Sequence, residues 1–301
     1  MLIKSTLLHS FTVTLSNLPS VLQQALAFKA YEIEELADVY FFRPLGAVIA
    51  HSAKVLGLTP THLTLLAGIA GVIGGVLLYD ERLGWLAFAL LILHGILDSS
   101  DGQLARLTGR STELGRVLDG LAGYATYAAI YIALAASVIS RGGSPLVVVW
   151  VVLAAASTMV HAQMYDYHRT SYASIAIKGL VPPERQPQPG PAWSRSIMHV
   201  YYALQRHSIG RHEEVEAALA ARSHQETVSD ADRARYSAIF YWPVRGWNLL
   251  GDNTRFYAIG VLVWTHHLGW FFAFEILLMN IAFAALWLWQ RRADTRFLSS
   301  L

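Results

Sequence analysis

Long apolar runs separated by short polar turns set the pattern of this chain. A helix needs roughly 20 mostly apolar residues to cross a hydrocarbon core. Such runs fall at 61–79, 83–106, 113–139, 146–168, 255–272 and 273–291. They predict an all-α integral membrane protein with about six transmembrane helices. The last two runs abut, and His266, His267 and Gly269 mark a short turn between them. Ahead of the first run, residues 30–56 interleave Leu36, Val39, Tyr40, Phe41, Leu45 and Ile49 with Glu32, Glu34, Glu35, Asp38, Arg43 and Lys54. That mixture predicts an amphipathic helix lying in the interface and held there by its aromatic residues.

Four regions follow from the pattern: an N-terminal extension with the interfacial helix (1–56), a first set of four spans (57–168), a polar insertion (169–254), and two further spans with a tail (255–301). The stretch from Met1 to Ala27 is too often interrupted, by His9, Ser10, Thr12, Thr14, Ser16 and Asn17, for a good signal-peptide core, and is expected to lie on the membrane surface. The insertion opens with Pro182-Pro183 and Pro187 to Pro191. Helices are expected at 192–207 and 211–222, with a polar break from Ser223 to Asp232.

Composition supports the membrane reading, since 54% of residues are hydrophobic and only 15% charged. Cysteine is absent, which leaves carboxylates and histidines as the metal ligands available. Net charge is only +2 and no basic block stands out, so no nucleic-acid partner is expected. The basic residues instead report topology. Of 23 Lys and Arg residues, only Arg82 and Arg141 fall in the loops after the first and third spans. The positive-inside rule then puts both termini, the loop between spans two and three, and the insertion in the cytoplasm. The expected location is the inner or plasma membrane of a prokaryote.

One stretch carries chemistry. It reads Asp98-Ser-Ser-Asp101-Gly102-Gln-Leu-Ala105-Arg106, then eight residues, then Gly115-Arg-Val-Leu-Asp119-Gly-Leu-Ala-Gly123. Asp98 and Asp101 are three apart, so a helix places them on one face, where they can converge on a cation. A helical hairpin brings Asp119 to them. Gly102 and Ala105 leave room beside the acids for a ligand. Three acids near hydrocarbon repel one another unless a ligand neutralises them, and a hard divalent ion holding a pyrophosphate fits that need. The alternative is a set of helix-end carboxylates solvated at the headgroups, with Arg106 and Arg110 as ordinary interface anchors.

These residues resemble the signature of the CDP-alcohol phosphotransferase family, D-x-x-D-G-x-x-A-R, a spacer of about eight, then G-x-x-x-D-x-x-x-D. The strict match covers 98–123 and fails only at the last position, Gly123. Thr59-Pro60-Thr61-His62-Leu63-Thr64 is similar to the family's Pro-Asn-x-x-Thr, with Thr61 in place of Asn, and Arg43-Pro44 also fits. The resemblance implies six membrane helices, Mg²⁺ or Mn²⁺, and transfer of a phosphoalcohol from a CDP-alcohol donor to a hydroxyl acceptor with release of CMP. It further implies metal ligation by Asp98, Asp101 and Asp119, and a nucleotide pocket lined by Thr64, Gly102, Ala105, Arg106 and Gly115. Dimerisation is implied too, and Ala122, Gly123, Ala125, Ala128 and Ala129 give the third span a small-residue face for it.

Gly123 stands where the family has the acid that completes the cluster and serves as the usual base. His94, one turn before Asp98, and Asp166, at the end of the fourth span, are the substitute bases to consider. Three classes of function compete: an enzyme acting at the cytoplasmic interface, a protein that binds metal and CDP-alcohol without efficient turnover, and a transporter with intramembrane acids. The transporter reading leaves Gly102, Ala105, Arg106 and Gly115 unexplained. For the acceptor, Arg106, Arg110, Arg116 and Arg169 are the basic candidates.

Overall fold

The computed structural model describes residues 31–182, 209–223 and 226–301, which are helical with no strand; a single antiparallel bridge pairs Leu180 with Thr227. The expected extension at 1–27, the proline run at 183–191 and the expected helix at 192–207 lie outside the described residues. Among those described, five helical stretches are long and apolar enough to cross a membrane: Pro60–Leu77, Glu81–Thr108, Val117–Ser140, Val147–Lys178 and Leu268–Leu298. The expected span at 255–272 is instead a helix of 13 residues, Asp252–Trp264, ended by a turn in which His266 takes a left-handed φ of 59°. At 1.5 Å per residue that helix is about 20 Å long, short of a hydrocarbon core.

The chain folds as two units. The first contains Leu36–Val147 and Ile259–Gly269. Its helices are α1 (Arg43–Val55), α2 (Pro60–Leu77), α3 (Gly84–Thr108) and α4 (Glu113–Ser140). Helix α2 packs against both α3 and α4, and α1 lies against α3. Glycine makes the central packing close: a methyl group on Gly71 would collide with Thr126 Oγ1, and one on Gly75 would sit 2.8 Å from the Ile130 backbone nitrogen. On α1 the small residues Gly46, Ala47, Ala50 and Ala53 are buried, while Leu45 and Val48 are exposed. An exposed apolar face of this kind suits lipid contact.

The amphipathic segment begins later than its sequence pattern predicts. Glu34 and Glu35 precede the helix and are buried: Arg169 donates to Glu34 Oε2 at 2.9 Å, and Tyr165 and Asn253 donate to Glu35 at 2.8 and 2.7 Å. Side-chain donors satisfy these acids at a break of two residues, 34–35, which separates a short 3₁₀ turn at Tyr31–Ile33 from the helix.

The second unit contains Ala30–Glu35, Val148–Ala258 and Trp270–Leu301. It holds α5 (Val147–Tyr172), α6 (His212–Arg222), α7 (Asp230–Trp247), the first half of α8 (Asp252–Trp264) and α9 (Met279–Leu298). One core joins Tyr172, Val215, Leu219, Tyr236, Phe240, Val244 and Phe297. Helix α7 contributes Asp232, Tyr236, Phe240, Val244 and Trp247, a repeat of three and four that puts its buried face on one side despite Pro243. A fully buried ion pair, Arg255 Nη2 to Glu275 Oε1 at 2.9 Å, is completed by Thr158 and His161.

Candidate functional site

The hairpin between α3 and α4 builds the site. Helix α3 ends at Gly109, whose φ of +65° is the left-handed conformation that lets the chain leave the helix with its N–H bonded to the Ala105 carbonyl. Three residues later Thr112 caps α4, its hydroxyl accepting from the Gly115 N–H at 3.0 Å. The short connection, with both helices packed against α2, brings carboxylates from the end of α3 and the start of α4 together. Helix α2 starts nearby at Thr59, whose N–H donates to His62 Nδ1 at 3.1 Å, with Pro60 fixing the first turn.

Asp98, Asp101 and Asp119 come together on this hairpin, each offering a carboxylate oxygen within 4.8 Å of the others. Asp98 and Asp119 are exposed and Asp101 is buried. The Thr64 hydroxyl donates to Asp101 Oδ2 at 2.5 Å, which fixes that carboxylate's orientation from α2. Two charges at such a separation repel by roughly 1 kcal/mol in water and about 3.5 kcal/mol at an effective dielectric of 20. Three hard oxygen donors this close form a set that a divalent ion would relieve.

Beside the carboxylates lies a cavity of 420 Å³ lined by Pro60, Thr61, Thr64, Asp101, Gly102, Ala105, Arg106, Arg110, Thr112, Gly115 and Asp119, among others. The N-terminal turns of α2 and α4 both open onto it. Helix N-termini carry partial positive charge and free N–H groups, and Arg106 and Arg110 add two guanidinium ions, so the walls favour an anion next to the acid cluster. Gly102 keeps one wall low: the nearest group to a methyl placed there is Arg106 Nη1, at 3.6 Å.

The remaining sequence candidates lie elsewhere. His94 is buried in the first unit, its Nδ1–H donating to the Ala67 carbonyl at 2.9 Å, and it does not line the cavity. Asp166 is exposed and belongs to the second unit. Arg169 pairs with Glu34 and also donates to the Tyr165 hydroxyl. The side chain of Arg116 is outside the described set. A Cβ built on Gly123 has no neighbour within 4 Å. Sequence reasoning passed over Thr112, whose spacing to Gly115 is an N-cap signature, and gave Thr61 no part in the pocket that it lines.

The fold and site together define an integral membrane protein with a carboxylate-and-arginine cavity at the mouth of a helical hairpin. Residues 57–205 match the family described as CDP-alcohol phosphatidyltransferase, and over that range the chain carries a domain of this family. No curated protein and no solved structure matches the chain. The family is one of transferases, and its activity transfers a phosphoalcohol from a CDP-alcohol in lipid synthesis.

Proposed function

We propose that this protein transfers a phosphoalcohol from a CDP-linked donor to a hydroxyl acceptor, releasing CMP, in the synthesis of phospholipids or related polar lipids. The observation that carries the reading is the convergence of Asp98, Asp101 and Asp119 beside a 420 Å³ cavity onto which two helix N-termini open. The donor set is all hard oxygen and fits Mg²⁺ or Mn²⁺. Bound there, the ion would supply charge neutralisation for the diphosphate and the departing CMP.

The chain's own residues divide the remaining work. Thr64 locks Asp101, and Gly102 and Ala105 give the nucleotide close access to α3. Arg106, Arg110 and the first turns of α2 and α4 hold phosphate oxygens. The acceptor oxygen attacks the phosphorus bearing the alcohol, the bond to the CMP oxygen breaks, and the acceptor proton passes to a base. The pocket faces the cytoplasm of a prokaryotic inner or plasma membrane by the distribution of Lys and Arg, and the insertion at 169–254 lies on the same side. A homodimer through α4 would have Ala125 and Ala128 at hand, because Ala122 and Ala129 already meet Gly68 and Gly75 of α2.

Gly123 favours a second reading, in which the protein binds metal and CDP-alcohol with little turnover. Its surroundings are open and it has no side chain to act as base. CMP release by purified protein with Mg²⁺ or Mn²⁺ and a panel of CDP-alcohols separates the two. Under either reading, Asp98→Asn and Asp101→Asn each abolish metal-dependent binding of a cytidine nucleotide. Parent-like binding in both variants would show that the cluster is structural.

A further inference from the structure

The exposed face of α9 changes character along its length. Leu277, Leu278 and Ile281, at and just before its start, and then Leu288 and Trp289 are exposed apolar residues. They give way within one turn to Arg291 and Arg292, and a turn later to Arg296, all exposed. The opposite face, with Leu286, Gln290, Ala293, Asp294 and Phe297, is buried in the second unit. Thus the one acid near these arginines in sequence points away from them: Asp294 is buried and bonded to His212 at 2.7 Å.

The cationic end is concave. Leu288, Arg291, Arg292, Thr295, Arg296 and Ser299 line an open groove of 550 Å³. Arg211, just ahead of α6, borders it by donating to Thr295 Oγ1 at 3.2 Å, while its other nitrogens pair with Glu214. Arg291 lies over the Trp287 ring, 4.6 Å from its centroid. Among the described residues, no carboxylate pairs with Arg291, Arg292 or Arg296. Three guanidinium ions within six residues repel one another, and the Thr295 and Ser299 hydroxyls beside them in the groove donate to the Arg291 and Arg296 carbonyls, leaving the guanidinium groups as its donors.

We propose that this groove binds the headgroup of an anionic phospholipid, with the acyl chains along the exposed apolar side of α9. Guanidinium donors suit phosphate oxygens, and Leu288, Trp289 and Ile281 along the same helix suit hydrocarbon. That continuity from apolar stripe to cationic groove is what selects a membrane lipid over a soluble phosphate. The site lies wholly within the second unit and its residues are separate from those of the carboxylate cavity, so it stands apart from the catalytic reading.

The test measures retention of dioleoyl phosphatidylglycerol by the full chain in mixed micelles with phosphatidylcholine, with native mass spectrometry as the readout. The parent retains phosphatidylglycerol in preference to phosphatidylcholine. A variant carrying Arg291→Gln, Arg292→Gln and Arg296→Gln together loses that preference by about a hundredfold, from the attraction expected of three surface arginines. Single substitutions, each expected to lose about fivefold, decide the matter if the triple variant does not fold. A preference unchanged by these substitutions overturns the proposal. So does displacement of the lipid by millimolar inorganic phosphate, which would make the groove a general anion site.

Discussion

Restoring a carboxylate at Gly123 tests the catalytic reading most directly. The position lies one helical turn beyond Asp119, and a Cβ placed there meets nothing within 4 Å. The first carbon of the new side chain therefore meets no clash. Exchanging Gly for Asp inside a helix gains roughly 0.3 kcal/mol of propensity, which the new repulsion from Asp119 at four residues' spacing, about 0.2–0.5 kcal/mol, cancels. Stability should stay where it was, so a change in rate reports on chemistry. If the missing base is the only defect, Gly123→Asp raises CMP release by roughly 10²–10⁴-fold, the usual contribution of positioned acid-base catalysis. Gly123→Asn, equal in size but unable to take a proton at neutral pH, should gain nothing. The assay is initial-rate CMP release at saturating CDP-alcohol, run beside metal-dependent nucleotide binding. A Gly123→Asp protein that binds metal and nucleotide normally yet stays inert refutes the missing-base argument. A parent that is already fast, and is slowed by the substitution, means that another group takes the proton and that Gly123 makes room for substrate.

Two further outcomes check topology and the buried charges. The chain has no cysteine, so Ala221→Cys in α6 and Ser144→Cys between α4 and α5 give clean labelling sites; an impermeant maleimide should reach only Cys at 144 in intact cells, and labelling at 221 would reverse the orientation. Glu275→Ala leaves Arg255 buried without its partner and should cost about 3–5 kcal/mol, whereas Arg255→Met with Glu275→Leu should cost much less. Detergent-micelle unfolding curves compare them, and a Glu275→Ala protein as stable as the parent contradicts the assigned role of the pair.

How far the sequence reached depended on the kind of signal. The first four spans were legible because each is a long apolar run bounded by turn residues, and their predicted ends fall within a few residues of the observed helices. Helix α7 was not foreseen: Asp232, Arg233 and Arg235 mask a repeat of buried aromatic residues, and Pro243 reads as a breaker. The delayed start of the interfacial helix was equally invisible, since the burial of Glu34 and Glu35 depends on Arg169, Tyr165 and Asn253, all more than a hundred residues away. At the site, spacing of three along one helix foretold the pairing of Asp98 with Asp101, and the short loop foretold Asp119. Thr64 was named by resemblance, but its bond to Asp101 crosses from another helix, a relation that spacing along one helix does not express.

The way the chain is shared between its two units bears on synthesis and on engineering. The backbone passes from one unit to the other at Glu35, Val147, Ala258 and Gly269. A nascent chain that has delivered the whole Asp98–Asp119 hairpin still lacks Ile259–Gly269, which packs onto α3 through Val263 against Gly84 and Gly260 against Phe88. The unit holding the carboxylates therefore waits for late-translated residues before its last contacts close. Cutting the gene at any single codon would leave at least one unit with a piece on the wrong fragment, so a soluble or minimal version of the site is better sought by splicing two segments than by truncation.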